Sequence, residues 1–274
     1  RAAVINAIGW EAEGGGRAEA LAQYAYGKEL SELNASELRG DERFVIGYLL
    51  AMDDYYDTAS AEQWLEDARK SMPDSFTAAM IHALVAAQGL MSTPASWQEI
   101  WNVAAAVAFD GRLRLDMRPE AAEIIIDYMA SYSNGAGINP FSSENVLAFR
   151  IGDPQFTMNG APSSLERASG TAPVLRNGTA YLPVRFLAGA VGGTAAWESE
   201  GKKAIVTAPH LKMEFAADVP VVLVNGEERM LEHAPILSGG RVMLPARFIG
   251  GALGFEVSWD EKEEAVVLTY PSAI

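Results

Sequence analysis

RVMLPARFIGGALGFEVSWD, residues 241–260, rewrites most of TAYLPVRFLAGAVGGTAAWE, residues 179–198. Pro183, Arg185, Phe186, Gly192 and Trp197 of the first stretch answer to Pro245, Arg247, Phe248, Gly254 and Trp259 of the second. In each, the Pro suits the first position of a helix and the last Gly suits a left-handed cap at its end. Between them Phe248, Ala252 and Leu253 fall on one helical face. Phe255, Val257 and Trp259 then alternate onto one face of a strand. DEKE, residues 260–263, turns the chain, and VVLTY returns as the hairpin partner. ESEG, residues 198–201, has the same task in the first stretch. Each copy, a stretch with its flanking residues, thus reads as strand, strand, short helix, strand, strand. One segment of about 60 residues buries too little surface to be stable alone. Two segments packed together are expected to cover each other, with the ten matched residues as structural anchors of the repeat.

Strand grammar extends on both sides of these stretches. From residue 145 onward, short β-branched and aromatic runs such as VLAFRI, QFTMNG, KAIVT, LKMEF and VVLVNG alternate with turns. Residues 1–133 instead repeat apolar residues at three and four, as helices do. Ser60 with Gln63 suggests a capping box, and Pro73 stops that helix. Asp74 or Ser75 caps the next helix, which ends at Gly89. Pro94 after Thr93, and Pro119, open two more. SNGAGINPFSS, residues 133–143, is punctuation. The expected fold class is therefore α+β and multidomain. An all-α domain spans residues 1–138. A duplicated antiparallel β domain with one short helix per repeat spans 139–274, its copies covering about 146–210 and 211–271.

Composition narrows the function. The chain has 274 residues, 49% of them hydrophobic and 21% charged, which is the make-up of a folded globular protein. A net charge of −15 repels phosphate backbones and anionic lipid, so no nucleic-acid partner is expected. The absence of cysteine excludes disulfides, thiolate nucleophiles and Cys-ligated metal, and it suits a bacterial protein working outside the cytoplasm. The chain opens at Arg1 rather than Met, so removal of a leader is expected. FTAAMIHALVAAQGLM, residues 76–91, is the longest apolar run and is too short to span a bilayer.

The motifs MNG…YLPVRFLAGAVG…W…AIVT and VNG…MLPARFIGGALG…W…VVLT resemble the copper amine oxidase N-terminal domain-like family, also called the stalk domain. The resemblance covers roughly residues 146–271. It implies small antiparallel sheets curled around a helix, in exported and surface-attached proteins of Gram-positive bacteria. It implies no oxidase chemistry, because the copper-binding histidines and quinone of those enzymes lie in another domain. The first copy has Gly193 and Ala195 where the second has Phe255 and Val257, and about four extra residues before Pro173; it is expected to be the looser copy. In the helical part, Ala61, Leu65, Ala68 and Pro73 resemble the second helix of a tetratricopeptide repeat. RAAVINAIGWE and NASELRGDERFVIGYLLA resemble S-layer homology modules. A generic helical bundle is the competing reading.

Little in the sequence carries catalysis. His82 lies in an apolar helix and reads as a packed residue; His210 and His233 lie in loops without a ligand pattern. No copper, other metal or cofactor is expected. Asp53, Asp54 and Asp57 lack the calcium-loop spacing and read as a solvated helix end, and Glu261, Glu263 and Glu264 as a solvated turn. Neither nucleophile-elbow nor phosphate-loop motifs are present, and glycines 14–16 read as a loop. Asn34 and Asn177 begin glycosylation sequons that carry little weight in a bacterial protein. Among the tryptophans, Trp197 and Trp259 read as core by their matched positions, Trp97 and Trp101 as core by sharing a helix face, and Trp10 and Trp64 stay open as ligand contacts. Arg185 and Arg247 sit where the helix dipole opposes them. Either each bonds a carbonyl or carboxylate of its own domain, or the two hold an anion.

These features point to a non-enzymatic extracytoplasmic or cell-surface module for binding or assembly, with a cell-wall polymer or another surface protein as partner. A cell-wall carbohydrate binder and a hydrolase with an interdomain site are the alternatives. An aromatic strip open to solvent favours the carbohydrate reading.

Overall fold

The computed structural model describes residues 2–10, 14–91, 97–133, 137–143, 145–165, 171–198 and 202–272. Four expectations lie wholly or partly outside these residues: the helix start at Thr93 and Pro94, residues 134–136 of the punctuation, residues 199–201 of the turn, and residues 166–170 of the longer connection between Asn159-Gly160 and Pro173. The chain divides into two compact units, Arg1–Arg118 and Pro119–Ile274.

The first unit is helical: α1 (Ala2–Ile8), α2 (Arg17–Tyr26), α3 (Gly40–Asp53), α4 (Ala59–Ser71), α5 (Phe76–Leu90) and α6 (Trp97–Ala108). Short 3-10 turns at Leu30–Glu32 and Ala35–Glu37 join α2 to α3. Ala61, Leu65 and Ala68 of α4 recur at helical spacing and are fully buried in the apolar core that also holds Phe44, Tyr48 and Ile81. Gly47 of α3 permits the contact. A Cβ there would stand 2.8 Å from Leu65 Cγ and 2.9 Å from Trp64 Cβ. Helix α4 starts at Ala59 with Thr58 as its N-cap, so the expected capping box at Ser60 does not form. Ser75 caps α5 as expected, its Oγ accepting from Ala78 N at 3.1 Å and donating to Asp116 at 2.7 Å. Asp116 also accepts from Thr77 N at 2.8 Å. Burial alone would raise its pKa, but these bonds win and hold it below the usual carboxylate value. Gly89 lies inside α5, which runs one residue further, to Leu90.

The second unit begins earlier than the expected boundary at 138/139, because α7 (Pro119–Ala130) belongs to it. The reason is the buried Asn139. Its Nδ2 donates to Glu123 O at 2.9 Å and to Asp127 Oδ1 at 2.7 Å, while Asn145 Nδ2 donates to Asn139 O at 2.6 Å. Pro119 does open this helix.

The strands that follow are β1 (Val146–Arg150), β2 (Gln155–Met158), β3 (Ala161–Ser164), β4 (Val174–Arg176) and β5 (Thr179–Pro183). After α8 (Val184–Ala190) come β6 (Thr194–Glu198), β7 (Lys203–Ala208), β8 (Leu211–Phe215), β9 (Val221–Val224) and β10 (Glu227–Met230). Then come β11 (Ile236–Ser238), β12 (Arg241–Pro245), α9 (Ala246–Ala252), β13 (Glu256–Asp260) and β14 (Ala265–Thr269). Among the described residues these strands pair antiparallel, in sheets ordered β13-β14-β1-β2-β3, β6-β7-β8-β9-β10 and β4-β5-β12-β11. Stretches 179–198 and 241–260 therefore build the same elements in the same order.

The two copies are expected to cover each other, and the strand order shows them sharing sheets as well. Advancing every strand by seven places turns the first five-stranded sheet into the second and turns the four-stranded sheet into itself. Each five-stranded sheet draws on both copies: β14 pairs with β1, Phe149 facing Val266, as β7 pairs with β8, Val206 facing Met213. The turns match as well. Asn159 (φ 51) and Asn225 (φ 51) both precede a glycine. Asn159 Oδ1 accepts from Val146 N at 2.8 Å, and Asn225 Oδ1 from Lys212 N at 2.7 Å. An Asn-Gly pair suits such a turn because both residues tolerate positive φ.

Pro183 and Pro245 close their strands as N-caps rather than standing at the first helical position. Gly192 (φ 74) and Gly254 (φ 89) take the expected left-handed conformation after each helix. In α9 the buried face is Ala246, Ile249 and Gly250 rather than Phe248 and Ala252. Phe186 of α8 packs edge-on against the stacked pair Phe149 and Phe156, at centroid distances of 5.7 and 4.7 Å. That contact anchors a helix to strands far from it in sequence.

Candidate functional site

Trp197 and Trp259 lie on β6 and β13, each the last strand of its five-stranded sheet. They face Ala204 and Val266 across the pair. An edge strand covers one flank of its side chains only. The two indoles are accordingly 50% and 39% exposed, and the expectation that they are core is corrected. Trp101 is buried as expected, but Trp97 is exposed. Trp64 is half-buried at the α3–α4 contact.

Arg185 and Arg247 are exposed in the first turns of α8 and α9. Among the described residues neither guanidinium makes a hydrogen bond or an ion pair. The expected bond to their own domain is therefore absent. Both helices have seven residues, too few for a strong dipole at the N-terminus.

The titratable groups do not converge. His82 is half-buried with its Nε2 3.6 Å from Glu66, and burial lowers its pKa despite that neighbour. His210 is exposed in a turn at φ 60, and His233 is half-buried. No group of three metal-ligating side chains occurs among the described residues. Asp53 is not part of a solvated helix end. It is buried, and its Oδ2 accepts from Ala18 N at 2.9 Å in the first turn of α2, where a carboxylate complements the helix dipole.

Trp10 is 59% exposed, and its ring lies 5.0 Å from that of Tyr55. Tyr55 in turn meets Tyr56 edge-on at 5.5 Å. The sequence reading took MDDYYD for its acids and passed over these tyrosines, although two adjacent aromatics in a connection were the available signal.

The matched geometry of the second unit agrees with a family comparison. Residues 157–268 match the copper amine oxidase N-terminal domain. The match runs from β2 into β14 and so spans both stretches. The matched domain is the non-catalytic one of those oxidases. No curated protein matches the chain, and no solved structure does. No helix among the described residues is long and apolar enough to cross a membrane.

Proposed function

We propose that this chain is a non-enzymatic module that binds a cell-wall polymer or a surface protein outside the cytoplasm. The observation that carries the reading is the exposure of Trp197 and Trp259 at equivalent places on two sheet edges. Large aromatic side chains left open cost solvation unless a partner covers them, and Trp is enriched where partners bind. Two equivalent sites suit a partner that repeats, as a polymer or a surface array does. The match to a non-catalytic domain supports the absence of amine oxidase turnover.

The test is co-sedimentation of the full chain with purified Gram-positive wall material, before and after extraction of its proteins. The parent is expected in the pellet, and the Trp197→Ala/Trp259→Ala variant in the supernatant. Extraction then distinguishes polymer from protein. A parent that stays in the supernatant with both preparations, or a double variant that pellets like the parent, refutes the reading.

A further inference from the structure

We propose that Trp10, Tyr55 and Tyr56 form a binding site for a neutral glycan chain in the helical unit. The proposal adds a ligand class to the binding-module reading, on which it rests for its setting only, since it uses none of the β-unit tryptophans.

The rings come from two connections. Trp10 follows Gly9, whose φ of 84 and N–H bond to Asn6 O at 3.1 Å end α1. Tyr55 and Tyr56 follow the end of α3. Trp10 touches Tyr55 at an interplanar angle of 44°, and Tyr55 touches Tyr56 at 88°. Trp10 is 59% and Tyr56 78% exposed, so both side chains are largely open to water.

Burial does not explain the cluster, yet the chain around it is tied down. Arg17 Nη1 donates to Gly9 O at 3.0 Å and to Met52 O at 3.3 Å, and stands 3.6 Å from Asp53. Gly15 N donates to Asp53 O at 2.9 Å. These bonds join the segment before α2 to the end of α3. Asp54 Oδ1 accepts from Tyr56 N at 2.9 Å and from Asp57 N at 3.0 Å, which sets the turn. Gln88 Nε2 donates to Tyr55 O from α5. Rings held in place before binding lose little conformational freedom on binding.

The chemistry selects the ligand. A pyranose ring has a flat face of C–H groups that lies on an indole or phenol ring, burying apolar surface on both sides. Its hydroxyls need hydrogen-bonding partners at the rim. Asp54 and Asp57 supply acceptors, and Tyr and Trp supply O–H and N–H donors. Ring planes turned by 44° and 88° let each ring meet a different sugar of one chain. The same carboxylates, in a chain of net charge −15, repel uronic, phosphate-bearing and other anionic polymers.

The full chain is titrated with chitohexaose, with cellohexaose, with the anionic polymer polygalacturonate and with tetramethylammonium, by calorimetry and tryptophan fluorescence. The parent is expected to bind a neutral hexasaccharide and neither of the charged probes. Trp10→Ala and Tyr56→Ala should each weaken that binding about tenfold or more, while circular dichroism and Tm stay at the parent's values. Tyr24→Ala, which removes an exposed ring outside the cluster, should bind like the parent. Silence of both hexasaccharides at millimolar concentration overturns the proposal. So does unchanged affinity in both ring variants, or capture of tetramethylammonium in place of sugar. An equal loss in the Tyr24 variant overturns it too, while leaving the binding-module reading intact.

Discussion

Leu182 faces Leu244 across the β5–β12 pair, and both are fully buried. Around them the register is reciprocal, Tyr181 facing Pro245 as Met243 faces Pro183. Since Leu182 and Leu244 hold the same place in the two matched stretches, this pair lies at the centre of an approximate two-fold relation. The strands on each side continue into α8 and α9 and then into different five-stranded sheets.

That exchange makes each half depend on the other. Residues 145–210 expressed alone would leave β1 without β14 and β7 without β8. The fragment is expected to show no cooperative urea transition, whereas residues 119–274 should show one. A folded, cooperative 145–210 fragment would show that one copy does not need the other.

Gly193 stands where the second stretch has Phe255. A Cβ at Gly193 would meet Thr207 O at 2.5 Å, a backbone atom that cannot swing aside. Gly193→Ala should cost about 1–3 kcal/mol, in the range of overpacked sites. Gly251, exposed in α9, meets nothing within 4 Å, so Gly251→Ala should leave stability unchanged or raise it by up to about 1 kcal/mol. Chemical denaturation of both variants checks the contrast, and equal effects would contradict it.

Lys212 and then Lys203 hold the Glu214 carboxyl down to about 2, from an ordinary value of 4.5. The folded value is the depressed one, so the unfolded chain binds the proton more readily. This contribution to stability is complete above pH 4.5 and fades as the pH falls toward about 2. Lys212→Met and Lys203→Met should each raise the Glu214 midpoint in an NMR titration. A parent Glu214 that titrates at its ordinary value would show the pairs to be loose in solution.

Arg185 and Arg247 lack partners among the described residues. Arg185→Ala and Arg247→Ala should therefore move Tm by no more than about 2 °C, as surface substitutions do. A drop of several degrees would reveal a bond formed in solution.

What the sequence determined by itself is local. Pro183 and Gly192, with Pro245 and Gly254, mark the start and end of the two short helices. Asn159-Gly160 and Asn225-Gly226 mark turns that form as φ-positive residues allow. Ala61, Leu65 and Ala68 announce a buried helical stripe, and it is buried. Period and turn chemistry act over a few residues, so they can be read along the chain. Only the tertiary structure decided which strands become neighbours. Alternation in VVLTY assigns side chains to a face, but it does not say whether β14 will join β13 alone or also β1. Exposure follows from that choice. Trp197 and Trp259 alternate like core residues, yet they lie on edge strands with one flank uncovered. Asp53 reads like its acidic neighbours until α2 places an N–H over its carboxylate. Trp10 and Tyr55, 45 positions apart, meet because Arg17 and Asp53 tie two helix ends together. Contacts of this kind depend on how closed elements share space, and no local pattern encodes them.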